Sequence, residues 1–185
     1  IFEFEVDEED SSWFIDPIKS ESINTSYFEG AATISDTTYD EDENTEQTMI
    51  FVSDRKAEKT LTDLYMVQRV NDQWKEAKPL SEINTSGRET TPFITGDGKY
   101  LFFSSDGLNG MGGYDVYYCQ RINNKWSEPV NLGASINTVH DDTHFQYFPE
   151  YKLGTVSAVN DLNGYFSYDI FKVDLSESDF PFVLK

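Results

Sequence analysis

Apolar and polar positions alternate in short runs along most of this chain. The clearest set lies between Thr91 and Thr138, where residues 92–95, 100–104, 115–120 and 126–132 are rich in Phe, Tyr, Val and Ile. Gly96-Asp97-Gly98, a Gly/Asn/Asp-rich turn and Asn123-Asn124 separate these runs. Runs of this length bounded by Gly and Asn predict strands joined by tight turns, because those residues accept positive φ. Residues 1–6 alternate apolar and acidic side chains, the pattern of a half-exposed strand. A single four-stranded unit cannot bury both of its faces, so it predicts neighbours of its own kind.

Those neighbours are visible in the sequence. Ile-Asn-Thr begins at Ile23, Ile83 and Ile136, 60 and 53 residues apart, with Asn24, Asn84 and Asn137 at its centre. Trp13, Trp74 and Trp126 precede the triplets by 10, 9 and 10 residues. Asp63, Asp115 and Asp169 each open a three-residue apolar-aromatic match, and Asp54, Asp106 and Asp161 each close a turn signal. Landmarks recurring in one order at roughly 50 residues signal a repeat architecture. Four strands per period predict an all-β chain, a partial β-propeller. Its repeats fall at about 1–18 (a remnant), 28–80, 91–133 and 143–184, within one domain spanning 1–185. An acidic insertion at 39–47 replaces the short turn of the next repeat, and Gly154 stands near the corresponding turn in the last.

The second repeat resembles the TolB-type, WD-repeat-like propeller repeats of Gram-negative envelope proteins. The resemblance rests on Pro92-Phe93, Asp97-Gly98-Lys99, Leu101-Phe102-Phe103-Ser104-Ser105-Asp106, Gly112-Gly113-Tyr114-Asp115-Val116-Tyr117, Trp126-Ser127-Glu128-Pro129-Val130-Asn131-Leu132-Gly133 and Ile136-Asn137-Thr138. It implies an exported protein, periplasmic or associated with the outer membrane. Similar propellers often sit beside OmpA-like peptidoglycan-binding domains or in type IX secretion and gliding machinery. No OmpA-like module is visible in this sequence.

Composition narrows the function. Thirty-four acidic residues against 14 basic ones give a net charge of −20. Phosphate backbones call for clustered Lys and Arg, so nucleic acid is not an expected partner. No apolar run approaches the ~20 residues that span a bilayer. Cys119 is the only cysteine, which excludes an intrachain disulfide and, on an alternating strand, predicts a buried thiol.

Candidate chemistry is sparse. The turn from Asp106 to Asp115 is rich in Gly but precedes no helix, so it lacks the dipole of a dinucleotide site. Asp106, Asn109 and Asp115 carry oxygens suited to Ca²⁺, yet their aspartates recur across the repeats, which favours a role in holding turns. His140 and His144 lie four apart outside a helix, so no shared metal ion is expected. No activated nucleophile, cofactor motif or catalytic constellation is apparent.

The sequence therefore predicts a non-enzymatic, rigid protein-interaction module of an envelope or secretion-associated assembly. Binding is expected at a loop face carrying Asp106, Asn109, Tyr114, Asp115, His140 and His144, with the 39–47 insertion beside them. A periplasmic glycan-binding or glycan-cleaving propeller is the alternative; exposed Trp or Tyr platforms beside paired carboxylates would favour it. The remaining blades are expected from the same longer polypeptide or from a bound neighbour. Pairing of 180–184 with 1–6 would instead close a four-bladed ring.

Overall fold

Strand 1 of the remnant, β1 (Phe2–Glu3), pairs antiparallel with β2 (Ile18–Lys19), setting Phe2 opposite Lys19. These strands come from a computed structural model that describes residues 2–3, 18–21, 23–35, 38–39, 45–55, 61–71, 73–162 and 165–176. The next sheet holds β3 (Glu29–Ile34), β4 (Thr38–Tyr39), β5 (Thr45–Ser53), β6 (Asp63–Val70), β7 (Gln73–Trp74) and β8 (Lys78–Pro79). It is followed by β9 (Glu89–Ile94), β10 (Tyr100–Ser105), β11 (Asp115–Ile122), β12 (Lys125–Trp126) and β13 (Val130–Asn131). A third large sheet holds β14 (Asp142–Phe148), β15 (Leu153–Leu162) and β16 (Tyr165–Asp174). The described chain is all-β, its sheets antiparallel, with one 3₁₀ turn at Pro149–Tyr151 and no α-helix.

The register repeats as well as the order. Tyr65 faces Pro79 and Met66 faces Lys78 across β6 and β8; Tyr117 faces Asn131 and Tyr118 faces Val130 across β11 and β13. The β1–β2 pair repeats this step.

The large sheets pack face to face. Ile50, Val52 and Leu64 of the first meet Ile94, Leu101, Phe103, Tyr117, Cys119 and Trp126 of the second in one buried cluster. The opposite face of the second sheet, with Phe102 and Val116 buried, meets Phe145, Tyr147 and Val156 of the third. Phe102 and Phe145 lie 5.1 Å apart, ring centroid to centroid. A third cluster covers the first sheet's other face, around Phe51, Tyr65 and Ile23. Burying both faces of β10 and β11 explains why residues 101–105 read as a near-continuous buried run rather than an alternation.

First strands neighbour first strands. The Ile94 amide donates to Thr33 Oγ1 at 3.1 Å, and the His144 amide to Thr91 Oγ1 at 3.2 Å, linking β3 to β9 and β9 to β14. Each of these strands carries a bulge at one equivalent residue, Ala31, Thr91 or His144, with φ of 36°, 46° and 53°. A bulge bends its strand and sharpens its twist, letting three first strands run side by side without splaying their sheets.

Several expectations need correction. The predicted strand at 126–132 is two short pieces, because Pro129 has no amide and Ser127 Oγ instead accepts from the Gln120 amide. Gly154 lies inside β15, buried against the Phe145 ring; Lys152, at φ 48°, makes the turn. The third sheet has three strands among the described residues, and the expected outer strand at its C-terminal end lies outside them. The 39–47 insertion extends a hairpin, Thr38–Tyr39 pairing with Thr45–Glu46 at the start of β5. That is the end of the sheet opposite the Gly-rich turn, so the two do not share a face.

Trp74 and Trp126 occupy equivalent places, opposite Arg69 and Arg121, each guanidinium 5.9 Å from its ring. Trp126 is buried and Trp74 half-buried. Trp13 and residues 180–184 lie outside the described residues, as does any pairing between 180–184 and 1–6. Among the described residues no helix is long and apolar enough to cross a membrane.

Candidate functional site

The loops at one end of the sheets are held by a bracket built from the Ile-Asn-Thr triplet. Asn84 Oδ1 accepts from the Leu64 amide at 2.9 Å, and its Nδ2 donates to the Leu64 carbonyl at 3.0 Å. Asn137 does the same to Val116 at 2.8 and 3.0 Å. One side chain thereby replaces a strand partner at the head of β6 and β11. The triplet's threonine then binds an acid four residues on: Thr25 to Glu29, Thr85 to Glu89, Thr138 to Asp142. Ser53 Oγ and Ser105 Oγ donate to the first two of these carboxylates from the neighbouring strand.

These acids lie within the fold, and their titration differs. Burial drives the Glu89 and Asp142 carboxyls above their ordinary range, against the pull of the hydrogen bonds from Thr85, Ser105 and Thr138. Burial pushes Glu29 the same way, but bonds from Thr25 and Ser53 and the Arg55 charge bring it below the ordinary value.

Beyond the bracket, the Gly-rich turn, the 138–142 loop and β16 meet at this end. Asp115, 1% exposed, accepts from the Met111 amide and, at 3.0 Å, from the Gly112 amide. Asp141 Oδ1 accepts from the Tyr114 amide at 2.9 Å, and Asp141 Oδ2 from the Tyr168 hydroxyl at 3.0 Å. That last bond raises the Tyr168 phenol above its ordinary range. Arg88 donates from Nε to Asp106 at 2.8 Å and lies 5.2 Å over the Tyr114 ring. A Cβ on Gly112 would stand 2.1 Å from the His140 carbonyl oxygen, so only glycine lets the turn rest on that loop.

Of the sequence-predicted residues, Asp106, Tyr114, Asp115 and His140 thus converge, and Asn109 is exposed in the same turn. His144 does not belong with them. It sits inside β14 at the bulge, its amide on Thr91 and its ring Nδ1 3.0 Å from Thr143 Oγ1. His140 lies in the loop that leads into β14 and His144 lies within the strand at its bulge, so a four-residue spacing brings no shared site. Asp54 accepts from the Phe28 amide as Asp106 does from the Arg88 amide, so the two hold equivalent turns. Asp169 bonds Asn160, Asp161 pairs with Phe166 in β15, and burial raises the Asp63 carboxyl. Asn24 Nδ2 donates to the Ser20 carbonyl at 2.8 Å.

Arg88 and Asp141 carry no signal in the sequence because neither recurs between repeats; Tyr168 does recur, in the place of Tyr114 before the strand aspartate. The acid four residues beyond Ile-Asn-Thr did recur, as Glu29, Glu89 and Asp142, and was a usable signal.

Chemically the cluster is committed. Asp106, Asp115, Asp141 and Asp142 already accept from amides, hydroxyls or a guanidinium. Among the described residues no group of three or more His, Cys, Asp or Glu is placed to hold a metal ion. Cys119 is buried, and burial followed by Glu128 and Glu82 pushes its thiol up to about 12, which makes it inert as a nucleophile. The arrangement offers shape and contact: Met111, Val139 and Tyr168 are exposed beside Arg88 and Tyr114. No family model matches the chain, and no curated protein matches it.

Proposed function

We propose that this chain is part of a TolB-type, WD-repeat-like β-propeller and works as a non-enzymatic, rigid protein-interaction module of a Gram-negative envelope or secretion-associated assembly. One observation supports this most: successive sheets carry the same buried bracket yet hold loops of different sequence at a single end. Rigid scaffolds that display variable loops bind through them. Side-by-side first strands with sheets packed face to face also suit blades around an axis. The periplasmic or outer-membrane location, and the supply of further blades by a longer polypeptide or a neighbour, rest on the sequence resemblance.

The partner is a protein docking on the loop end, where Arg88, Met111 and Tyr114 provide the side-chain types that anchor interfaces and Val139 is exposed beside them. A glycan platform draws less support, because Trp126 is buried and Trp74 half-buried. Cross-linking in intact envelopes, read by mass spectrometry, tests the reading. Links to one defined protein should map to 106–115 and 139–141 and vanish in Met111→Lys, Tyr114→Asp. Links confined to the opposite end, at 95–99 and 123–124, would overturn it.

A further inference from the structure

A groove of about 950 Å³ opens between the 132–138 loop and the third sheet, lined by Leu132, Ile136, Val156, Ala158, Phe171 and Val173. The preceding interface shows what belongs there. Where the third sheet has Val156, opposite Phe171, the second has Phe103, opposite Tyr117, and the ring of Trp126 completes that cluster. Phe171 and Val173 stand in the places of Tyr117 and Cys119. No described residue of the third repeat corresponds to Trp126.

The same repeat lacks strand partners. β6 pairs with β7 and β8, and β11 with β12 and β13, whereas the matching edge of β16 has none among the described residues. An open edge beside an apolar groove calls for an extended segment with a bulky ring. The sequence supplies one: Phe180 follows Asp169 by 11 residues, as Trp74 follows Asp63 and Trp126 follows Asp115.

We propose that residues 177–185, which lie outside the described residues, dock on β16 as the fourth strand of the third sheet and place Phe180 in the groove. The register follows the second sheet: Leu184 opposes Lys172 as Val130 opposes Tyr118. The groove is then a place for the chain's own segment rather than a ligand pocket. This inference rests on the repeat and not on the envelope reading.

Full-length chain carrying Lys172→Cys with Leu184→Cys tests it under mild oxidation. Cys119 is buried and does not compete. Thr155→Cys with Leu184→Cys is the control, since Thr155 lies one strand further in, opposite Lys172. The 172–184 disulfide should form at least about tenfold faster than the 155–184 one. Equal rates, or no 172–184 disulfide, would overturn the proposal. In a second arm, Phe180→Ala should raise binding of an apolar fluorescent dye and Val156→Phe, which restores the ring of Phe103 at the equivalent place, should reverse it. Unchanged dye binding in Phe180→Ala would also contradict it.

Discussion

Arg55 brings Nη2 to 3.1 Å from the Glu29 carboxylate, with side chains only 13% and 4% exposed, while the equivalent Glu89 has no cation among the described residues. The Arg55 guanidinium also donates to the Ile23 carbonyl and lies 5.0 and 4.8 Å over the Phe51 and Tyr65 rings. In the second sheet Gly107 takes the same step, where a Cβ would fall 1.8 Å from Thr85 Oγ1. One bracket thus exists with and without an arginine beside its carboxyl.

Removing the cation should be expensive. Arg55→Met strands a buried carboxylate and is expected to destabilise the chain by about 3 kcal/mol, measured by urea unfolding near neutral pH. Because Glu29 has a lowered value in the folded state, its contribution is present above its unfolded value and is lost as pH falls through the folded one. The variant's deficit should therefore shrink on acidification.

Glu89 runs the other way. Its raised carboxyl contributes below the unfolded value and loses that contribution as pH rises through the folded one. Glu89→Gln should flatten this fall in stability between mildly acidic and neutral pH, read from urea midpoints across that range. An unchanged slope would mean that Glu89 titrates as an ordinary carboxyl.

The asparagine bracket gives a sharper contrast. Asn137 is 1% exposed and also donates to Asn131 Oδ1 at 2.8 Å. Asn137→Ala leaves the Val116 amide and carbonyl without that partner and should cost about 2 kcal/mol. Asn84→Ala, at a half-buried site, should cost less in the same assay.

Tryptophan truncation should follow burial. Trp126→Ala is expected to cost about 3–5 kcal/mol and Trp74→Ala about half as much, by thermal or urea unfolding. Equal losses would contradict their different packing.

What could be read from the sequence divides along physical lines. Asn84 and Asn137 were legible because a side chain that substitutes for a strand must recur with the strand. Strand order was legible because Gly and Asn turns punctuate it. The bulges at Ala31, Thr91 and His144 were not, since Ala, Thr and His carry no signature of positive φ and packing between sheets imposes it. Gly154 misled for the converse reason: it makes room for the Phe145 ring, a tertiary demand that resembles turn chemistry. The convergence of Arg88, Tyr114, Asp141 and Tyr168 joins two neighbouring sheets, and the change from Arg88 to Asp141 at one equivalent position leaves no periodic trace.

The account turns on first strands lying side by side, with β9 between β3 and β14. Amide-resolved nuclear Overhauser measurements on the isotope-labelled chain test this directly. Cross-peaks from the Ile94 amide to the Thr33 side chain and from the His144 amide to the Thr91 side chain are expected together in the monomer. Their absence, with β9 amides instead contacting residues of β8 or β16, would contradict the stacked-sheet arrangement.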